Sequence, residues 1–206
     1  MSAYVSTFTL LLVILNPFAL SVYLFDVLRE HSFKLIAAML FRAICIAGLV
    51  LCAFAVGGER MLTDLLHVRF FAFQVFGGIV FLIIGLKFII EGSQTVSILR
   101  GEPAHLAGTV AMPFLIGPGT ISASALAGVR HDAGVGVLIV SSALAATGIV
   151  LLLLKLFFDR LKERNAQLLE RYAEIAGRVS GFLAGSISIE MIATGIEAWL
   201  NILKRA

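Results

Sequence analysis

The sequence predicts an all-α membrane protein of six transmembrane helices, arranged as a 3+3 inverted repeat in which helices one and four are broken. Three observations carry that prediction. First, 60% of the 206 residues are hydrophobic and 14% are charged, with a mean hydropathy of +1.02; no soluble fold has an interior large enough to hide that much apolar surface. Second, the apolar residues gather into runs long enough to cross a bilayer, which takes about 20 residues. Third, two helix breakers, Asn16-Pro17 and Gly117-Pro118-Gly119, fall near the middle of the first and fourth runs. Proline and glycine there free backbone polar groups that hydrocarbon cannot satisfy, so such breaks persist only where protein or trapped water meets them.

The runs fall at residues 5–28, 35–56, 69–90, 106–128, 134–158 and 175–200. The first reads as a retained span: residues 1–4 lack a basic segment, no small-residue cleavage site follows, and the apolar run continues past Asn16-Pro17. The second carries Cys45 and Cys52, seven residues and ~10 Å apart along a helix, too far to bridge. Its Arg42 snorkels toward the Lys34 side, with a substrate counter-ion as the alternative. The third carries Gln74, which either reaches a cavity or bonds between helices, and Lys87, placed to snorkel to headgroups. The sixth carries Glu190, and Gly177, Gly181 and Gly185 at four-residue spacing, a face for close helix packing within the subunit or across a homo-oligomer. Connections carry turn and charge signals: Arg29-Glu30-His31, Gly57-Gly58-Glu59-Arg60, residues 93–105 with Pro103, Arg130-His131-Asp132, and the charged stretch 159–174. One membrane domain results, with a first repeat at 1–92, a connecting loop at 93–105 and a second repeat at 106–206.

The halves echo each other at a shift of about one hundred residues. Asn16-Pro17-Phe18-Ala19 answers Gly117-Pro118-Gly119-Thr120, and residues 78–92 answer 181–195 with glycine at both ends. Three spans per half is an odd number, so the second copy enters the membrane from the opposite side. Loop cations orient the chain. Arg29, Lys34, Arg100, Arg160, Lys162, Arg164 and Arg171 lie on one side, against Arg60, Arg69, Arg130, Lys204 and Arg205 on the other, a bias that places both termini in the periplasm. The small net charge of +3 sits in these short loops and excludes nucleic-acid binding as the chain's business.

Matched breaks in two inverted halves point to a transporter-type binding site. Beyond each break the next half-helix aims unpaired N–H groups and its positive dipole end into the gap, a place for a carboxylate or another anion. Hydroxyls follow: Ser21 after Pro17, and Thr120, Ser122 and Ser124 after Gly117-Pro118-Gly119. Asn16, Pro17, Ser21, Gly117, Pro118, Gly119, Thr120 and Ser122 are therefore the candidate solute-binding residues. Ala19 and Thr120, each two residues past its proline, are expected to face one shared cavity. The alternative is a pair of ordinary kinks whose hydroxyls bond back to their own backbone. Glu190 is the candidate carrier of a coupling proton or sodium ion, facing a cavity on the outer side, because a carboxylate inside a membrane is costly without a role. Lys87 and Glu190 occupy equivalent repeat positions on opposite sides of the midplane, ~20 Å apart, and are not expected to pair. No metal cluster, cofactor motif or enzyme signature is present, and the four histidines fall in connections.

At these residues the chain resembles the MarC family of bacterial inner-membrane proteins, which is similar to the LysE type of six-span exporter. Residues 111–121, Ala-Met-Pro-Phe-Leu-Ile-Gly-Pro-Gly-Thr-Ile, look like the family's Pro-Leu-Leu-x-Gly-Pro-Gly-x-Ile signature; residues 76–82 resemble its third-span Gly-Gly-Ile run, and Asn16-Pro17 its first-half motif. Ala19, Val22, Lys87 and Glu190 depart from the family pattern, in which glycine, proline, an acidic residue and glutamine are more usual. The resemblance implies a secondary transporter, in the exporting direction, of small neutral or amino-acid-like solutes. A membrane scaffold whose glycine faces bind a partner is the alternative; a passive channel is disfavoured by the lack of charged rings.

Overall fold

A computed structural model describes residues 3–58, 60, 61, 64, 67–91, 115–164 and 166–204. All regular structure among them is helical: α1 Ala3–Leu15, α2 Pro17–Tyr23, α3 Phe25–Glu30, α4 Phe33–Gly57, α5 Phe70–Glu91, α6 Pro118–His131, α7 Ala133–Arg164 and α8 Ala166–Leu203. Among the described residues, five stretches are long and apolar enough to cross a membrane: Ala3–Tyr23, Phe33–Gly57, Phe70–Ile90, Ala133–Leu161 and Gln167–Leu203. The expected connection at 93–105 and the first part of the expected fourth span lie outside the described residues. So do residues 111–114 of the glycine-proline motif; α6 is the described remainder.

The first span breaks where the sequence places its breaker. Asn16 still donates its N–H to Leu12 O at 3.1 Å, but its backbone turns left-handed, with φ 40° and ψ 75°. Asparagine tolerates that region better than most residues. Pro17 has no N–H to offer and its fixed φ suits the first position of the new helix. Beyond Tyr23 the chain bends once more at Leu24 before α3.

Two packing modes hold the bundle. Leu11, Leu15, Leu20 and Leu28 of the first span, Ile36, Leu40 and Leu51 of α4, and Leu144, Leu151 and Phe158 of α7 share one essentially inaccessible cluster, with α7 packed on both the first span and α4. The α5–α8 pair instead closes on glycine. A Cβ at Gly78 would lie 2.9 Å from Ser188 O, one at Gly85 3.0 Å from Gly181 O, and one at Gly195 3.0 Å from Phe71 O. Rising numbers on α5 meet falling numbers on α8, so the two helices run antiparallel. Gly181 and Gly177 are thus occupied inside the chain, the latter against Val22 and Phe88, while Gly185 has open space beside its Cα.

Candidate solute site at the helix breaks

The two breaks resolve their freed backbone groups differently, and the difference follows from one side chain. At the first, Asn16 Oδ1 accepts the Ala19 N–H at 3.1 Å, and Asn16 O accepts the Leu20 N–H at 3.0 Å, so α2 is capped by the breaker itself. At the second, Gly117 has no side chain to offer. Gly117 O accepts from Ile121 N at 2.9 Å, but among the described residues nothing accepts from the N–H groups of Gly119 and Thr120. The open, positively polarised helix end is therefore that of α6.

Hydroxyls behave as three separate cases. Thr120, fully buried, is spent on the break: its Oγ1 accepts the Gly117 N–H at 2.9 Å and reaches Leu115 O at 2.9 Å and Gly117 O at 2.8 Å. Ser21, also fully buried, donates to Phe18 O at 2.7 Å and lies 3.0 Å from the Tyr172 hydroxyl. Ser122 donates to Pro118 O at 2.7 Å while lining a cavity.

Among the described residues, each break lines a cavity of its own. The first, of about 320 Å³, is lined by Leu10, Ile14, Gln74, Gly119, Ser122 and Met191 among others. The second, also about 320 Å³, is lined by Asn16, Phe18, Tyr172, Ala176, Ser180 and neighbouring apolar residues of α8. Along α8 the two follow one another without overlap, Tyr172 to Leu183 and then Ile187 to Met191, spanning ~28 Å. The first-span helix separates them: Ile14 faces one cavity and Asn16, two residues on, faces the other. The expectation that Ala19 and Thr120 face one shared cavity is not met by the described cavities. Ala19 and Thr120 are both buried and line neither space, because the helices beyond the breaks turn those positions toward α7 and α4 packing.

Of the candidate residues, Asn16, Gly119 and Ser122 line cavities; Pro17, Ser21, Gly117, Pro118 and Thr120 form or support the breaks behind them. Pro118 is pressed by α5, where Gly77 leaves no room for a Cβ. Gln74 takes the cavity alternative. Glu190 is exposed on α8 between Ile187 and Met191 and lines neither described cavity, so its expected place facing a cavity is not met, because the helix turn carries it off the face those two share. Arg42 is exposed on α4.

Three features were not anticipated. Ser180 and Tyr172 join the second cavity from α8. Lys155, 1% exposed in α7, forms an ion pair with Asp159 one turn on. Thr7 Oγ1 and His131 Nε2 lie 2.9 Å apart, with Tyr4 stacked on the imidazole, tying the start of α1 to the end of α6 beside the first cavity. Each has a sequence signal in retrospect: i,i+4 opposite charges near a span's end for Lys155, and lone hydroxyls in apolar helix for Ser180 and Thr7.

The chain is 29% identical over 205 residues to a UPF0056 membrane protein of Pyrococcus horikoshii, covering 98% of this chain and 97% of that one. It is 26% identical to the UPF0056 inner membrane protein YhgN of Escherichia coli, covering 98% and 100%. It is 31% identical over 206 residues to a UPF0056 membrane protein of Methanocaldococcus jannaschii, covering 96% and 97%. No solved structure matches it. The family model for MarC family integral membrane proteins matches residues 1–200, and with agreement over nearly its whole length this chain belongs to the MarC family.

Proposed function

We propose that the protein is a secondary transporter of a small, amino-acid-like solute across the bacterial inner membrane, working by alternating access between two inverted halves. The observation that carries this is the pair of cavities, one at each break, stacked on opposite sides of the first-span helix. A packed kink needs no cavity. In this reading a solute carboxylate meets the uncapped Gly119 N–H, with Gln74 and Ser122 beside it, and rocking of the halves exposes that site to each side in turn. Export is the direction the resemblance favours, both termini are periplasmic, and a proton or sodium gradient drives the cycle. Glu190 is the coupling carboxylate, reached when the halves rearrange. A homo-oligomer through the α8 surface at Gly185 is compatible with this arrangement.

Flux into vesicles containing the purified protein, screened over amino acids and small metabolites with and without a pH or sodium gradient, tests the proposal. Saturable, gradient-dependent movement is expected, and Glu190→Gln should abolish the gradient dependence while sparing solute exchange. No movement above protein-free vesicles across the whole panel would favour the scaffold reading.

A further inference from the structure

The second cavity contains a polar group whose position calls for a ligand. Ser180 is 2% exposed and lines that cavity, yet among the described residues its hydroxyl has no hydrogen-bond partner, not even the carbonyl one turn back that helical serines ordinarily use. The hydroxyl reaches the cavity it lines, where the polar group of a ligand can pair with it. Asn16 faces the same space. Its Oδ1 is committed to the Ala19 N–H, which fixes the amide and leaves the NH₂ without a partner among the described residues. Tyr172 adds a third polar edge, its hydroxyl held by Ser21. The remaining lining is apolar, and none of the described lining residues is charged.

We propose that this cavity is a binding station for an uncharged solute with a carbonyl or amide head and a short apolar body, recognised by the Ser180 hydroxyl and the Asn16 amide. The Asn16 NH₂ donates to the carbonyl; the Ser180 hydroxyl takes either role toward the other end of the head. A net charge has no compensation there and is rejected by the cost of desolvating it. The station rests on the transporter reading as a second, separate stop for neutral solutes: the α6 end receives the carboxylate, and the self-capped α2 end accepts only neutral polarity.

The test uses a Cys45→Ala, Cys52→Ala protein in lipid nanodiscs, with Ala176→Cys as a reporter lining the cavity and Leu49→Cys, on the exposed face of α4, as a control. Hexanamide, hexanoate and hexylammonium, matched in length, serve as probes against a small methanethiosulfonate reagent. Hexanamide is expected to slow labelling at position 176 and not at 49, the two ions to slow neither, and Ser180→Ala to weaken the hexanamide effect about fivefold, roughly what one neutral hydrogen bond confers. Ser180→Ala should leave thermal unfolding unchanged, since the hydroxyl it removes bonds none of the described residues. Equal slowing by all three probes, equal slowing at both positions, no slowing, or full protection in Ser180→Ala each overturns the station. Because labelling needs no flux, a protein that shows this pattern but moves no solute keeps the station and loses the transport reading.

Discussion

Thr120 and Ser122 stand two residues apart and read alike in the sequence, yet their hydroxyls have different jobs. Thr120 closes the Gly117 break from within, so Thr120→Val should strand the buried Gly117 N–H and cost about 1–3 kcal/mol, read by unfolding in micelles. Ser122→Ala should leave that midpoint nearly unchanged. The Lys155–Asp159 pair is asymmetric in another way, since the lysine is buried and the Asp159 side chain is 41% exposed. Removing the carboxylate leaves an uncompensated buried ammonium, so Asp159→Asn should destabilise by about 3 kcal/mol; Lys155→Met, which leaves a carboxylate that water reaches, should cost clearly less. Equal losses would mean the lysine finds other compensation. The breakers themselves were legible from residue type, because proline and glycine act through their own backbone. Which hydroxyl faces a cavity was not, because that depends on helix rotation set by α7 and α8, hundreds of atoms away in the chain.

Between elements, glycine decides how closely helices approach. A Cβ at Gly128 of α6 would fall within 1.6 Å of Ala55 O on α4, a clash with backbone that no rotamer relieves. Gly128→Ala should therefore cost at least about 2 kcal/mol, or shift the two helices apart, whereas Gly185→Ala, with nothing within 4 Å of the added atom, should be near neutral. Comparable melting of the two variants would refute this assignment of the contacts. The recurrence of Gly177, Gly181 and Gly185 showed a close-packing face in the sequence, and the structure uses its first two members against α2 and α5. What spacing alone could not supply is the partner: α5 meets α8 because Gly78 and Gly181, 103 residues apart, each sit opposite the other's helix.

For the molecule as a whole, the helical class, the apolar spans and the helix starts at Pro17 and Pro118 were readable because bilayer length and backbone satisfaction are strong local constraints. Among the described residues the cavities are two rather than the single shared one expected from the repeat, with the first-span helix, filled by Leu11 and Leu15, between them. Two cavities on opposite sides of that divide make a sharper claim than one would. If the halves alternate, the cavities must open to opposite sides of the membrane, and a moving solute must bias them in opposite senses. Cysteine accessibility in sealed vesicles measures this: in the Cys45→Ala, Cys52→Ala background, Ser122→Cys and Ala176→Cys are labelled with a membrane-impermeant thiol reagent from each side, with and without the solute found in the flux screen. The account predicts labelling from opposite sides, with one rate rising and the other falling when solute is added; labelling of both from the same side, or of neither under any condition, would contradict it.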